Sequence, residues 1–277
     1  MIVVTGATGN VGGPLVQALA AVGEQVTAVS RSATEASANV RHQPADLTRP
    51  DTLRPAFDGA DALFLLLPPG SEQTDPQAVL DAAKACGITR VVLLSSQGAA
   101  TRPNSPAHAH LRGFEAALHN SSLDWTILRP GGSYTNSFAW AESVRSQRLI
   151  AAPFADIALP HLDPADIAGV AAVALREPGH SRQIYQLTGA AAITPRQQAT
   201  AIEAALGSPI QFVEPTRAEA REQLLRFMPE AIADGTLDIL GAPLPAEQLV
   251  SSDVERIVGR APTGFGAWAA NSVEVFR

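Results

Sequence analysis

The residues with the clearest chemical purpose open the chain. Thr5-Gly6-Ala7-Thr8-Gly9-Asn10-Val11-Gly12 follows the β-branched run at 2–4 and precedes an apolar helical pattern, Val11, Leu15, Val16 and Leu19. In that context each glycine has its own task. Gly6 permits a tight turn, Gly9 lets the backbone approach a pyrophosphate, and Gly12 lets the helix pack closely on the strand while its first N–H groups meet the phosphates. A P-loop is excluded, because it needs Gly-Lys-Ser/Thr and the only lysine, Lys84, follows Ala83. The second strand ends at Ser30-Arg31-Ser32, with no carboxylate before Glu35. NAD binders place an acidic side chain there to accept the ribose 2′-hydroxyl, whereas arginine and serine suit a 2′-phosphate, so the expected cofactor is NADP(H). The other reading of Arg31 is a solvated charge after a strand. Asp46-Leu47, closing the third strand, either meets the adenine amino group or is a turn.

These residues need a frame. Residues 25–30, 40–45, 62–67, 91–95 and 125–128 read as further strands, and 52–57, 76–85 and 108–118 as the helices between them. The run at 62–67 is apolar on both faces, as the centre of a helix-covered parallel sheet must be. The fold expected is α/β, a Rossmann doubly wound parallel sheet over 1–132, with a smaller C-terminal α/β substrate-binding lobe over 133–277. Within that lobe, 133–148, 195–206 and 217–232 read as helices, 157–162, 183–187 and 210–213 as short strands, and 235–245 as a stretch punctuated by Pro and Gly. Residues 157–190 are expected to return to the main sheet.

Composition narrows the class. Of 277 residues, 46% are hydrophobic and 17% charged, a globular balance. Twenty Lys and Arg against 27 Asp and Glu give a net charge of −7, which argues against a nucleic-acid binder. One cysteine, Cys86, rules out internal disulfides and multi-cysteine metal sites. The longest strongly apolar run is too short to cross a bilayer, and Met1 leads straight into a strand, leaving no room for a signal peptide. A cytoplasmic protein, monomer or homodimer, with a small-molecule substrate and no metal, is expected.

The glycine motif resembles that of atypical short-chain dehydrogenase/reductases, and specifically their NmrA-like branch. Ile127-Leu128-Arg129-Pro130-Gly131-Gly132, Leu162-Asp163-Pro164-Ala165-Asp166-Ile167-Ala168, Tyr185-Gln186-Leu187-Thr188-Gly189 and Val258-Gly259-Arg260-Ala261-Pro262 extend the likeness along nearly the whole chain. The branch includes quinone reductases, triphenylmethane-type reductases and redox-sensing regulators. The resemblance implies that Gly6, Thr8, Gly9, Asn10 and Val11 cradle the pyrophosphate. It also implies that Leu67, Pro68, Ser95 and Ser96 flank the ribose and nicotinamide, and that Pro130 and Gly131 approach the carboxamide.

Two departures bear on catalysis. The Tyr-Lys pair of typical short-chain dehydrogenases cannot exist here: the tyrosines are Tyr134 and Tyr185, and Lys84 has Leu80 four residues before it. The branch often carries His or Lys four residues before a helical glutamate. Here the glutamate is Glu115 and that position is Leu111, with His108 and His110 nearby. A shift of one residue rotates a side chain by about 100°, so neither histidine inherits the role by position. His108, His110 and Tyr134 are the catalytic candidates, each also readable as structural. Ser133, Tyr134 and Asn136 either line a substrate pocket or start a helix. Asp163 before Pro164 reads as a helix cap, and Phe265 and Trp268 as core anchors. No Gly-x-Ser-x-Gly elbow is present, which argues against an α/β-hydrolase. The leading expectation is an NADP(H)-dependent oxidoreductase passing hydride to a conjugated electrophile such as a quinone. The alternative is a non-catalytic NADP(H)-binding redox sensor, with an isomerase or dehydratase on the same scaffold behind it.

Overall fold

In a computed structural model, residues 1–30 and 38–277 are described. Seven parallel strands form the main sheet: β1 (Ile2–Thr5), β2 (Val26–Ser30), β3 (Val40–Pro44), β4 (Ala62–Leu66), β5 (Arg90–Leu94), β6 (Asp124–Pro130) and β8 (Gln183–Leu187), ordered β3-β2-β1-β4-β5-β6-β8. The remaining two, β7 (Leu149–Ala151) and β9 (Gln211–Val213), pair in parallel in the second lobe. Strand order reverses between β1 and β4, and such a switch point opens a crevice at the carboxyl ends of the strands.

Alternation along the strands builds two cores. Ile2, Val4 and Phe64 face one side and pack with Leu15 and Leu19 of helix Gly12–Ala21 and with Val170 and Ala174 of helix Pro164–Arg176. Val3, Leu63 and Leu93 face the other, against Leu80 of helix Pro76–Ala85 and Phe114 of helix Ala109–His119. Period-2 alternation under period-3.6 helices is why the middle strands are apolar on both faces. A third core holds the second lobe, where Val144, Ile150, Ile202 and Phe276 surround Phe265 and Trp268. The aromatic pair are core anchors.

The Rossmann sheet matches expectation; several local elements do not. Residues 157–162 form no strand. They make only isolated pairings, Leu162 with Ser133 and Leu159 with Ile193, and Pro160 has no N–H with which to continue a ladder. The helix expected over 217–232 is two, Arg217–Leu224 and Glu230–Gly241, with Pro229 capping the second. That second helix occupies most of the stretch read as punctuated. Residues 133–148 begin as a 3₁₀ segment, Tyr134–Trp140, before Ala141–Gln147 turns α-helical. Asp163 caps helix Pro164–Arg176 as expected, its carboxylate accepting from Ala165 N at 2.9 Å.

Candidate cofactor and acceptor site

Two cavities lie along the carboxyl edge of the sheet. The first, beside β1 and β2, is lined by Gly6, Thr8, Gly9, Asp46, Leu47 and Pro68, so it gathers six of the residues expected to hold a dinucleotide. The glycines differ in what they do. Gly6 has φ +64°, a left-handed turn. A Cβ on Gly12 would fall 2.2 Å from the Gly6 carbonyl oxygen, so its absence is required for helix–strand packing. A Cβ on Gly9 would meet only that same oxygen, at 3.2 Å, and would otherwise project into the open. Thr8, Gly9 and Asn10 are exposed and Val11 is half-buried at the entry to helix Gly12–Ala21. No side chain caps that helix; Gly13 N donates to the Gly9 carbonyl at 2.9 Å and Pro14 has no N–H, so the Gly12 N–H is the one of the first three helical positions left to a ligand. The open Gly9 backbone and the uncapped helix fit a pyrophosphate.

Asp46 both lines the cavity and closes a turn, accepting from Thr48 N at 2.9 Å and Thr48 Oγ1 at 2.8 Å. Thr5 ties β1 to β4: its hydroxyl donates to the Leu66 carbonyl at 2.9 Å, and Leu66 N donates back at 2.8 Å. Arg31 falls outside the described residues. Leu67 is partly buried against the core that holds Val3 and Leu63 and does not line this cavity. Ser95 is buried, with its hydroxyl given to Glu115 Oε1 at 2.5 Å, and Glu115 in turn is held by Arg129 at 2.6 Å. That ion pair joins the helix before β6 to β6 itself, and its Glu115 lies four residues after Leu111, the position where the resemblance implies His or Lys.

The second cavity, about 180 Å³, lies between the ends of β5 and β6 and the second lobe. Ser96, Pro130 and Gly131 form its sheet side. Ser96 also caps helix Gln97–Thr101, its hydroxyl accepting from Gly98 N at 3.1 Å. Asn136, Leu159 and His161 form a second wall, and Ile239, Leu240 and Glu247 the roof. The roof is latched. Glu247, 2% exposed, takes Arg102 Nε at 2.7 Å and Thr101 Oγ1 at 2.7 Å, and Gln97 Nε2 donates to the Ala246 carbonyl at 3.1 Å. Burial, the largest single effect, raises the Glu247 carboxyl, but the hydrogen bonds from Arg102, Leu244 N and Thr101, with the Arg102 charge, together outweigh it and hold the group below its ordinary value.

None of the three catalytic candidates lines either cavity. His108 lies behind Gly98; a Cβ there would fall 2.2 Å from its Nε2, a buried atom without a hydrogen-bond partner among the described residues. Burial, then Arg112, pushes its pKa down. His110 is half-buried, lowered by burial and partly restored by Glu72. Tyr134 belongs to the third core, its hydroxyl donating to the Thr263 carbonyl at 3.2 Å, and burial with the nearby Asp166 raises it to about 12. At that value it stays protonated at neutral pH. The imidazole that does face the acceptor cavity is His161, which sequence reasoning passed over because it sat inside a presumed strand.

Fold, switch-point crevice and phosphate cradle together define an α/β dinucleotide-binding protein. The chain belongs to the NAD(P)H-binding family, whose model matches residues 6–178. It is 31% identical to an NAD(P)H azoreductase of Xenophilus azovorans over 100% of this chain and 99% of the relative. It is 32% identical to a (4-alkanoyl-5-oxo-2,5-dihydrofuran-3-yl)methyl phosphate reductase of Streptomyces griseus, over 100% and 99%. Among solved structures, an Escherichia coli NADPH-dependent quinone oxidoreductase in complex with NADPH superposes with TM-score 0.81 at 26% identity, covering 99% of both chains. No helix among the described residues is long and apolar enough to cross a membrane.

Proposed function

We propose that this chain is an NADP(H)-dependent reductase of small, conjugated electrophiles such as quinones. The observation that carries the reading is the pairing of the two cavities: a phosphate cradle on β1 opens along the same sheet edge as a half-apolar pocket roofed by the second lobe. The likeness to an azoreductase, a furanone-type reductase and a quinone oxidoreductase supports the class, since all three names describe reduction of a conjugated acceptor.

Gly9, Thr8 and the first turn of helix Gly12–Ala21 would hold the pyrophosphate, and Arg31 the 2′-phosphate. Ser96, Pro130 and Gly131 would flank the nicotinamide. When bound, the reduced cofactor would supply a hydride and leave as NADP⁺, with solvent protonating the acceptor anion. The protein's part is to bind, to align and to exclude water. Pro130, Leu159, Ile239 and Leu240 give the pocket apolar walls that would suit a flat apolar ring. An anion delocalised over a conjugated system needs little help from an acid, which accommodates the missing Tyr-Lys pair. The test is NADPH consumption by the purified protein with a panel of quinones and azo dyes. Turnover supports a reductase; tight NADPH binding with no turnover of any acceptor would make the chain a sensor.

A further inference from the structure

We infer that His161 is the group that receives the acceptor, donating Nε2–H to the oxygen on which negative charge gathers. The inference rests on the reductase reading above.

Three separate elements converge on this one residue, two of them on its ring. Gly132, just after β6, lies flat against the ring: a Cβ there would fall 2.4 Å from Cδ2 and 2.5 Å from Nε2. Gly189, just after β8, lies against the His161 backbone, where a Cβ would fall 2.2 Å from the carbonyl oxygen. Neither glycine has a left-handed φ, so it is close approach and not backbone freedom that each supplies. Gln198, 5% exposed on helix Pro195–Leu206, aims its amide nitrogen at Nδ1 from 3.5 Å. A buried glutamine is costly unless its amide is used.

The chemistry follows from that last contact. An amide nitrogen has no lone pair to give, so Nδ1 is the acceptor and carries no proton. Burial drives the His161 pKa down to about 4, so the ring is neutral throughout the physiological range. A neutral ring bare at Nδ1 bears its proton at Nε2. That nitrogen has no hydrogen-bond partner among the described residues but keeps accessible surface, and its residue lines the acceptor cavity. The result is one fixed N–H donor with unchanging charge, facing the place where an electron-rich oxygen would form. A donor of this kind strengthens as charge develops and so lowers the barrier, while His161 neither gains nor loses a proton. It also selects for acceptors in which the charge lands on a carbonyl-type oxygen.

The test uses the full chain with NADPH and a substituted benzoquinone, alongside 4-nitrophenolate as a non-reacting oxyanion probe. His161→Phe should lower kcat/KM by about 30- to 100-fold, toward the range found on removing one oxyanion donor, with NADPH affinity within about twofold of wild type. His161→Gln, which keeps an N–H, should recover most of the loss. Gln198→Leu should cost about tenfold, because Nδ1 then competes for the proton. Affinity for 4-nitrophenolate, measured with and without NADP⁺, should fall at least about tenfold in His161→Phe. Unchanged kcat/KM in both His161 variants, or undiminished 4-nitrophenolate binding, would overturn the inference. A wild-type protein that turns over no acceptor but binds 4-nitrophenolate through His161 would defeat the reductase reading and leave the donor site standing.

Discussion

Replacing Gly9 by alanine should separate folding from cofactor binding, and Gly12 provides the contrast. At Gly9 the new methyl would touch only the Gly6 carbonyl oxygen, at 3.2 Å, and the backbone is not in the left-handed region. A shift of a few tenths of an ångström relieves the contact, and alanine also reduces the entropy of the unfolded chain by about 0.4–1 kcal/mol. Stability should therefore stay within about 1 kcal/mol of wild type. At Gly12 the methyl would lie 2.2 Å from the Gly6 oxygen, 2.7 Å from its carbonyl carbon and 3.0 Å from Ala7 Cα, all backbone atoms. Helix and strand must move apart, so Gly12→Ala should cost about 2–3 kcal/mol or more. Binding should rank the other way among folded variants. The Gly9 methyl projects into the phosphate cradle and removes at least one charge-assisted hydrogen bond, about 1.5–3 kcal/mol or ten- to a hundredfold in affinity. Thermal melts with and without NADPH, with calorimetric titration, measure both quantities on one sample. Wild-type NADPH affinity in Gly9→Ala, or equal destabilisation by both substitutions, would show that the loop is not the cradle.

Arg31→Ala should reduce the preference for NADP(H) over NAD(H) by about ten- to a hundredfold in calorimetric Kd; an unchanged ratio would assign the 2′-phosphate elsewhere. His108→Ala, His110→Ala and Tyr134→Phe should each lower kcat by less than about tenfold, since none lines the acceptor cavity; a hundredfold loss in any one, with fold and NADPH affinity intact, would reveal a proton donor. Arg102→Met should strand the buried Glu247 carboxylate and cost about 3 kcal/mol, a fall of roughly 6–12 °C in Tm. Because the folded-state pKa of Glu247 is depressed, its contribution is complete above the ordinary glutamate range and lost as pH falls through the folded value, so Glu247→Gln should flatten the acid side of the stability profile.

How far the sequence reached depended on whether the signal was local. The glycine motif, the strands around it and the cap at Asp163 are set by neighbours within a few residues, and β1 to β6 fall where periodicity puts them. The second lobe depends on packing across the chain. Pro229 divides one apolar pattern into two helices, and the roof helix Glu230–Gly241 carries Gly235 because Ala107 lies 2.9 Å from where its Cβ would be. The site shows the same division. Gly6 and Gly9 stand out in a strand–turn–helix grammar, Asp46 by its place at the end of the third strand and Pro68 only through the family resemblance; all four line the first cavity. His161 was not legible, since its role comes from Gly132, Gly189 and Gln198, which are 29, 28 and 37 positions away. Glycines directly after β6 and β8 were the available hint. Tyr134 drew notice as one of only two tyrosines, but its neighbours Phe265 and Trp268, over 130 residues later, make it part of a core.

The proposed reaction requires the cradle to deliver a reduced nicotinamide to an acceptor under the second lobe. It is tested most directly in a single turnover: the protein loaded with one equivalent of NADPH, deuterated at nicotinamide C4 or not, is mixed with excess quinone while the nicotinamide absorbance is followed. A bleach that matches formation of the reduced acceptor, and that slows with the transferred deuterium, is the predicted result. Tightly bound NADPH that remains reduced with quinone, azo and triphenylmethane acceptors alike would contradict the account.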